Sequence, residues 1–342
     1  MSADGNHKPV CSRGRRIIGA LVVACAVVTA NASARAECGH LPGTFIQLTN
    51  AQAAWSSADW QVLFNQFQIL GIKNLFVQWS VLNDTAFFPT AQFKMARKPL
   101  LPIVLDHASR LGLGEWIGLH LDAGYWQEIA QAADRVSAYF AGRLQEMARF
   151  LGDLNSTVEG PAFAGWYITD EIDDQTWHDR DKRAVLKRYL SDTVTVLKGR
   201  RPRSKVAISG FTNSTSDPRV VAEFWTDIMK ATSIDLLLFQ DGVGEGKLAL
   251  ANVGGYDAAL AGALRETGAQ FAAVVELFSL MPDGSRVPGP IGRIREQMAV
   301  ADRFSDFPPV AFSVPDYMSD LAGAQAADLF SEFVSTSKRC GR

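Results

Sequence analysis

From Thr44 onward, the chain alternates between short apolar runs and longer stretches in which apolar residues recur at helical spacing. The short runs are rich in Val, Ile, Phe and Leu at consecutive positions, which is typical of strands buried on both faces of a parallel sheet. They predict eight strands, at 44–48, 74–79, 115–121, 163–169, 205–211, 235–240, 270–276 and 308–314.

The stretches between these runs predict amphipathic helices. In the first stretch, Trp60, Leu63, Phe64 and Phe67 recur at intervals of three or four residues, and Gly71 supplies a helix stop. The same kind of pattern predicts helices over 59–70, 126–152, 182–199, 218–231, 254–267, 291–303 and 322–336.

Eight predicted strands that alternate with helical stretches favour a (β/α)8 barrel, or TIM barrel, as a single α/β domain over residues 37–342. The alternative is an open doubly wound sheet, a fold that usually carries a glycine-rich phosphate loop after its first strand. Here the first strand is followed by the segment LTNAQ at 48–52, which is not such a loop. The barrel is therefore the favoured architecture.

The first 36 residues have the pattern of an export signal. Three arginines lie at 13–16, an apolar run follows over 17–30, and residues 34–36 match a small-x-small cleavage site. The apolar run is shorter than the about 20 residues that a membrane span needs. We therefore expect a periplasmic or secreted protein with no stable membrane span after cleavage.

Charge and cysteine usage follow from this cleavage. Removing the signal takes away five positive charges and one negative charge, so the formal charge moves from −2 to −6. With no basic stripe, this balance is not typical of nucleic-acid binding. Two cysteines remain, Cys38 and Cys340, one near each end of the chain. They are expected to form a disulfide in an oxidising compartment, the alternative being two unpaired thiols.

Two glutamates lie at the C-terminal ends of predicted strands, one after Thr169 and Asp170 and the other after an all-apolar run. Glu171 ends the run GWYITDE at 165–171 on the fourth strand, and Glu276 ends QFAAVVE at 270–276 on the seventh. The C-terminal ends of barrel strands form the rim that carries TIM-barrel active sites. Two carboxylates on that rim are what glycoside hydrolysis needs. The plainer alternatives are a helix-capping carboxylate for Glu171 and an arginine-paired one for Glu276.

Amides, carboxyls and aromatic rings follow the ends of other strands. A sugar offers hydroxyls to carboxyl and amide groups and apolar C–H faces to rings, so this mixture favours a carbohydrate partner without a cofactor or metal. Core packing is the alternative for the tryptophans. The candidate substrate-binding residues are Gln47, Gln78, Trp79, His120, Asp122, Trp126, Asp170, Trp177, Asn213, Asp241 and Tyr317.

The glutamates on strands four and seven resemble the 4/7 superfamily (clan A) of retaining glycoside hydrolases. The runs FIQ at 45–47, FVQW at 76–79 and GWYITDE at 165–171 also resemble a bacterial family of exported glycosidase-like barrels of unassigned function, over nearly the whole mature chain. The superfamily resemblance implies that Glu171 is the general acid/base and Glu276 the nucleophile. A retaining mechanism places the two carboxyls about 5–5.5 Å apart, and an inverting one about 6.5–9.5 Å.

The acid must hold its proton near neutral pH. We expect Asp170, Asp173 and Asp174 to raise the pKa of Glu171 by like-charge repulsion, and a tryptophan wall to raise it by desolvation. Three positions depart from the superfamily pattern. Asp170 stands where its members usually carry Asn, Gln47 where they often carry Arg, and the segment PDY at 315–317 where they often carry Trp.

Two other classes of function compete with the hydrolase. A metal-dependent barrel isomerase or phosphodiesterase could take ligands from His120, Asp122, Glu171, Asp241 and Glu276, although the chain has only five histidines. A carbohydrate-binding barrel without catalysis, acting in exopolysaccharide handling, is the other alternative. Exported glycoside hydrolysis of a polysaccharide or oligosaccharide is the favoured prediction.

Overall fold

Eight parallel strands close into a barrel in the computed structural model, which describes residues 40–338. Each strand pairs with its neighbours in sequence, and the first strand closes the barrel against the last, with Gly43 opposite Val310. The (β/α)8 prediction is therefore confirmed. The strands are Gly43–Ile46, Asn74–Val77, Gly114–Gly118, Phe163–Asp173, Lys205–Phe211, Leu236–Gln240, Gln270–Glu276 and Val310–Phe312.

Helices surround the barrel, and their ends carry the expected caps. Ser56 and Asp59 form a capping box at the start of the first helix, and Gly71 ends it in a left-handed conformation with φ 83°. The main helices are Ser57–Leu70, Leu100–Arg110, Ala133–Thr157, Arg180–Arg200, Pro218–Thr232, Leu250–Leu264, Ile291–Phe304 and Ala324–Lys338.

Two helices differ from the sequence-based prediction. The helix Leu100–Arg110 was not predicted, because its Leu-Leu-Pro-Ile-Val-Leu start resembles a strand and contains a proline within the first turn. The single helix predicted over 126–152 is divided into Tyr125–Ile129 and Ala133–Thr157. The segment between them turns the chain after the third strand.

The barrel interior is filled by aromatic and aliphatic side chains. Phe76 stacks on Trp116 with ring centroids 5.2 Å apart, and the hydroxyl of Tyr167 lies 2.7 Å from Oγ of Ser209. Phe307 closes the N-terminal end of this layer against Trp116. A second core lies between the barrel and its helices and contains Trp60 and Trp225. The filled interior leaves the C-terminal rim as the place for a cavity.

Short strands decorate that rim. Val81–Leu82, Thr85–Ala86, Lys94–Met95 and His120–Leu121 form a small sheet beside the third strand, and a hairpin follows the seventh, pairing Phe278–Leu280 with Arg286–Pro288. Within residues 40–338, no helix is long and apolar enough to cross a membrane. The predicted signal over 1–36 and the predicted pair Cys38 and Cys340 lie outside the described residues.

Candidate active site

A cavity of about 460 Å³ opens at the C-terminal ends of the strands. Glu171 and Glu276 both line it, so the structure brings together the two glutamates that the strand pattern singled out. Four candidate substrate-binding residues line the same cavity, namely Gln47, Gln78, Trp126 and Tyr317. The remaining lining residues are Leu121, Gln240, Glu245, Lys247, Val274, Phe278, Arg286 and Phe312.

Strand alternation explains which residues reach this cavity. Successive side chains of a strand point to opposite faces, so a residue two positions after an interior one also points inward. Phe45 and Val274 belong to the barrel interior, and Gln47 and Glu276 follow them by two positions. Tyr167 is interior as well, but the pairing of the fourth strand with the fifth shifts register between Ile168 and Ile172, so regular alternation does not by itself place Glu171 in the cavity.

Glu171 is half-buried and held by two contacts. Nε2 of Gln240 donates to its Oε1 at 2.9 Å, and the hydroxyl of Tyr125 donates to its backbone oxygen at 3.0 Å. Burial raises the pKa of Glu171; the Gln240 bond and the charge of Lys247 oppose this shift, and Glu245 adds to it. Desolvation therefore makes the largest contribution, and the like charge that adds to it comes from Glu245 instead of the expected Asp170, Asp173 and Asp174.

Glu276 is 4% exposed, the more deeply buried of the two. The backbone N–H of Glu245 donates to its Oε2 at 2.8 Å. Burial, followed by the negative charge of Asp241, raises the pKa of Glu276 to about 8. Arg293 donates to the backbone oxygen of Glu276 at 3.2 Å, so this arginine fixes the strand end and leaves the carboxyl group unpaired.

The loop after the sixth strand contributes residues that the sequence analysis did not select. Arg286 binds both carboxyl oxygens of Glu245, at 2.8 and 3.0 Å, which ties this loop to the hairpin after the seventh strand. Lys247 lies with its Nζ 3.8 Å from the ring centroid of Phe211. The available signal was the segment DGVGEGK at 241–247, whose glycines and charges follow a strand end. Gln240, at the end of the sixth strand, was likewise not selected.

The aromatic candidates divide between the cavity and the core. Trp126 is 43% exposed at the cavity mouth, and Tyr317 lies there too, packed 5.1 Å from the ring of Phe278. Trp177 is fully buried against Phe140, with centroids 5.9 Å apart. Trp79 is 7% exposed and donates its indole N–H to Leu48 O at 2.7 Å, so its polar group is satisfied by the backbone.

Asp170 points away from the cavity, on the face of the fourth strand opposite Glu171. It accepts hydrogen bonds from Arg143 at 3.2 Å and from the hydroxyl of Tyr189 at 2.7 Å, and it is 4% exposed. The position that departs from the 4/7 superfamily therefore makes a structural ion pair between the barrel and two helices.

His120 and Asp122 line a second, outer cavity of about 770 Å³ beside the helix Ala133–Thr157. Arg143 donates to the backbone oxygen of His120 at 2.6 Å, and Nδ1 of His120 lies 2.7 Å from Glu146. Asp122 accepts a bond from the hydroxyl of Tyr139 at 2.8 Å. These contacts lie away from the two glutamates, and Nε2 of His120 is buried with no hydrogen-bond partner among the described residues.

The last two candidates also lie outside the cavity lining. Asn213 is exposed in the loop after the fifth strand. Asp241 is 2% exposed and accepts bonds from Nε2 of Gln297 at 2.5 Å and from the backbone N–H of Val243 at 3.1 Å. Burial raises the pKa of Asp241 to about 7. Asp241 thus sits behind Glu276 and acts on it through charge.

The five residues considered as metal ligands do not converge, since two line the outer cavity, two line the barrel cavity, and Asp241 lies behind it. Among residues 40–338, no group of three or more His, Cys, Asp or Glu side chains could hold a metal ion. The barrel cavity is lined by the carboxyl groups of Glu171, Glu276 and the Arg286-bound Glu245, together with amides, cations and rings.

Solved structures with the same fold include glycoside hydrolase barrels, as the resemblance of the strand motifs indicated. A protein from Bacteroides thetaiotaomicron described as a candidate alpha-L-fucosidase matches with a TM-score of 0.71 at 17% identity, over 88% of this chain and 96% of that one. The endo-beta-1,4-mannanase from Thermotoga petrophila matches with a TM-score of 0.55 at 14% identity, over 89% and 78%. At these identities the likeness establishes a shared barrel fold.

The sequence itself is similar to proteins without an assigned activity. The Escherichia coli K12 protein named Uncharacterized protein YbcH is 27% identical over 211 residues, which are 61% of this chain and 67% of that protein. A family model described as a domain of unknown function, DUF4434, matches residues 41–324, nearly the whole barrel. The chain therefore belongs to the DUF4434 family.

Proposed function

We propose that this protein is an exported glycoside hydrolase that cleaves a polysaccharide or oligosaccharide with two glutamates and no cofactor. The observation that carries the proposal is that Glu171 and Glu276, from the fourth and seventh strands, line one cavity at the C-terminal end of the barrel. The glycoside hydrolase barrels of the same fold support it.

Glu171 takes the role of general acid and base. Burial raises its pKa, which favours the protonated form that a general acid needs. Because Gln240 donates to Oε1, the proton belongs on Oε2, from which it passes to the glycosidic oxygen. After the leaving group departs, the same carboxylate accepts a proton from the attacking water.

Glu276 takes the role of nucleophile and must be ionised to attack the anomeric carbon. The N–H of Glu245 stabilises negative charge on its Oε2, which leaves Oε1 to form the glycosyl-enzyme bond. Burial and Asp241 oppose ionisation by raising the pKa of Glu276. The mechanism therefore requires Glu276 to lose its proton before attack, and the rate should rise with pH through this ionisation.

The substrate is positioned by the amides and the exposed ring at the mouth. Nε2 of Gln47 donates to Oε1 of Gln78 at 2.6 Å, which fixes both side chains and leaves the free amide group of Gln78 to donate to sugar hydroxyls. Trp126 offers an open aromatic face for the apolar side of a sugar ring. Gln78 and Trp126 line the same cavity as the carboxyls of Glu171 and Glu276, as a two-carboxylate hydrolase needs.

The test incubates the mature chain, residues 37–342, with a panel of bacterial exopolysaccharides. Hydrolysis is measured as the release of reducing ends. Glu171→Gln and Glu276→Gln should each lower turnover by about 10²-fold or more, because each removes a proton-transfer or bond-forming group. Glu223→Gln on an exposed helix face is the matched control and should leave turnover unchanged.

Wild-type turnover in both glutamate variants would exclude the two-glutamate mechanism. Binding of a glycan by the wild-type chain without release of reducing ends would instead support the non-catalytic carbohydrate-binding barrel. Proton NMR of the first product formed separates the two stereochemical routes, since a retaining enzyme releases the anomer of the bond that it cleaves.

Export is a separate part of the proposal and is tested separately. Intact-mass measurement of the protein recovered from the periplasm or medium should show loss of residues 1–36. A mass lower by two hydrogens, restored on reduction, would support the predicted disulfide between Cys38 and Cys340. Recovery of the uncleaved chain only from the cytoplasm would refute export.

A further inference from the structure

Lys247 is held rigidly at the cavity wall. It follows the sixth strand within a tight turn, in which its backbone N–H donates to Gly242 O at 2.8 Å and Gly242 adopts φ 63°. The hydroxyl of Ser214, from the loop after the fifth strand, donates to its backbone oxygen. Two loops therefore fix the position from which the side chain enters the cavity that contains Glu171 and Glu276.

Lys247 makes no ion pair within the described chain, although its charge lowers the pKa of Glu171. Among residues 40–338, no carboxylate oxygen lies within 4.0 Å of its Nζ. The ammonium lies over the Phe211 ring, and an aromatic face leaves its N–H donors without an acceptor. Arg286, the other cation of the cavity lining, is already bound by both oxygens of Glu245.

A half-buried ammonium with free donors is suited to bind an anion that enters with the ligand. The ring of Phe211 favours the charge and holds it in place, so little side-chain freedom is lost when an anion binds. Glu171 and Glu276 are the groups for bond cleavage in the same cavity. An anion beside Lys247 therefore belongs to the sugar that the glutamates process.

We propose that Lys247 binds a carboxylate carried by the substrate, so that the substrate class is a uronate-containing glycan. The inference rests on the proposed function, because it assigns the ligand of the same cavity. Lys247 is a specificity-determining residue in this scheme: its ammonium pairs with the sugar carboxylate, and the glutamates act on the adjacent glycosidic bond.

The test compares acidic glycans with their own carboxyl-reduced forms, in which each carboxylate becomes a hydroxymethyl group. Oligosaccharides from a panel of uronate-containing exopolysaccharides are titrated calorimetrically into the Glu276→Gln variant, which removes turnover from the measurement. The acidic forms should bind more tightly than the reduced forms, and added salt should weaken only the acidic ones.

Substitutions then assign the preference to one side chain. Lys247→Gln should weaken binding of the acidic oligosaccharide by about 10- to 100-fold, the value of a lost charge-assisted hydrogen bond, and leave the reduced form unchanged. Lys247→Arg should keep most of the preference. Lys230→Gln, at an exposed lysine of the helix Pro218–Thr232, is the matched control for the change in net charge.

Equal binding of acidic and reduced forms, an unchanged preference in Lys247→Gln, or no binding of any acidic oligosaccharide in the panel would each overturn the inference. The proposed function fails differently. A chain that binds acidic glycans through Lys247 but never cleaves them refutes the hydrolase alone. A chain that cleaves neutral glycans without regard to Lys247 refutes the inference alone.

Discussion

The side-chain amide of Gln240 donates a hydrogen bond of 2.9 Å to Oε1 of Glu171. A donor favours the charged carboxylate, so this bond lowers the pKa that burial raises. Gln240→Leu should therefore raise the pKa of Glu171. Since the general acid works only while protonated, the alkaline limb of kcat/KM should move to higher pH.

The pH profile of the Gln240→Leu variant checks this sign on any glycan that the wild-type enzyme cleaves. Gln61→Leu, at an exposed position of the first helix, serves as the control and should leave the profile in place. A shift of the alkaline limb to lower pH would show that Glu171 does not act as the acid.

Asp241 and Glu276 form a pair of buried carboxyls in which each charge opposes the other. The negative charge of Asp241 contributes to the raised pKa of Glu276. Asp241→Asn removes that charge, so Glu276 should ionise at lower pH and the acidic limb of kcat/KM should move to lower pH. Nε2 of Gln297 faces this carboxyl, and a half-turn of the Gln297 amide would offer the new amide Oε1, which has no hydrogen-bond partner among the described residues.

Thermal unfolding should confirm that Asp241→Asn keeps the fold before the profile is interpreted. Asp192→Asn, on an exposed helix face, makes the same chemical change away from the cavity. An acidic limb that stays in place would mean that Glu276 is not the group whose ionisation starts the reaction.

Arg143 and Asp170 are 8% and 4% exposed, and they make a buried ion pair behind the fourth strand. Arg143→Met should lower the free energy of unfolding by about 3–5 kcal/mol, because it leaves a buried carboxylate without its partner. The double variant with Asp170→Asn should lose less than the sum of the single losses. Urea unfolding measures all three.

A surface pair provides the comparison. Arg110 and Asp106 are 68% and 54% exposed, and Arg110→Met should cost less than about 1 kcal/mol. If Arg143→Met cost no more than Arg110→Met, the pair behind the fourth strand would not support the barrel. Asp170→Asn should also leave substrate affinity unchanged in the folded protein, because the side chain points away from the cavity.

Asp170 also shows what the sequence could and could not predict. The hydrophobic pattern and the composition of the sequence were sufficient to predict eight strands, since buried parallel strands are continuous apolar runs. They also placed Glu171 and Glu276 at one rim. Neighbouring side chains of a strand point to opposite faces. With Glu171 and Gln78 facing the cavity, Asp170 and Trp79 are therefore expected on the outer face.

The loop residues lay beyond that reasoning. Lys247 and Arg286 reach the cavity from segments whose paths are set by contacts far apart in sequence, such as the 41-residue separation between Glu245 and Arg286. No local period encodes such a path. His120 failed for a related reason, because it belongs to a short strand of the outer sheet and pairs beside Val81 instead of ending a barrel strand.

Asp257 gives a prediction about stability instead of activity. It is 1% exposed on the helix Leu250–Leu264, and its Oδ2 has no hydrogen-bond partner among the described residues. Burial raises its pKa from the usual 3.8 to about 7. The folded protein thus holds this proton more tightly than the unfolded chain, so the contribution to stability is full below about pH 4 and is lost as pH rises to about 7.

Asp257→Asn removes this loss. The free energy of unfolding of the variant should exceed that of the wild type by little near pH 4 and by up to about 4 kcal/mol above pH 7, since each pKa unit is worth about 1.4 kcal/mol. Urea unfolding of both proteins at about pH 4.5 and about pH 8 measures the difference, with Asp192→Asn as the exposed control. The pKa values of Asp241 and Glu276 are raised as well, so their contributions to stability also fall as pH rises. The free energy of unfolding of the variant should therefore still decrease with pH. A gain that did not grow between the two pH values would mean that Asp257 is charged in the folded protein throughout this range.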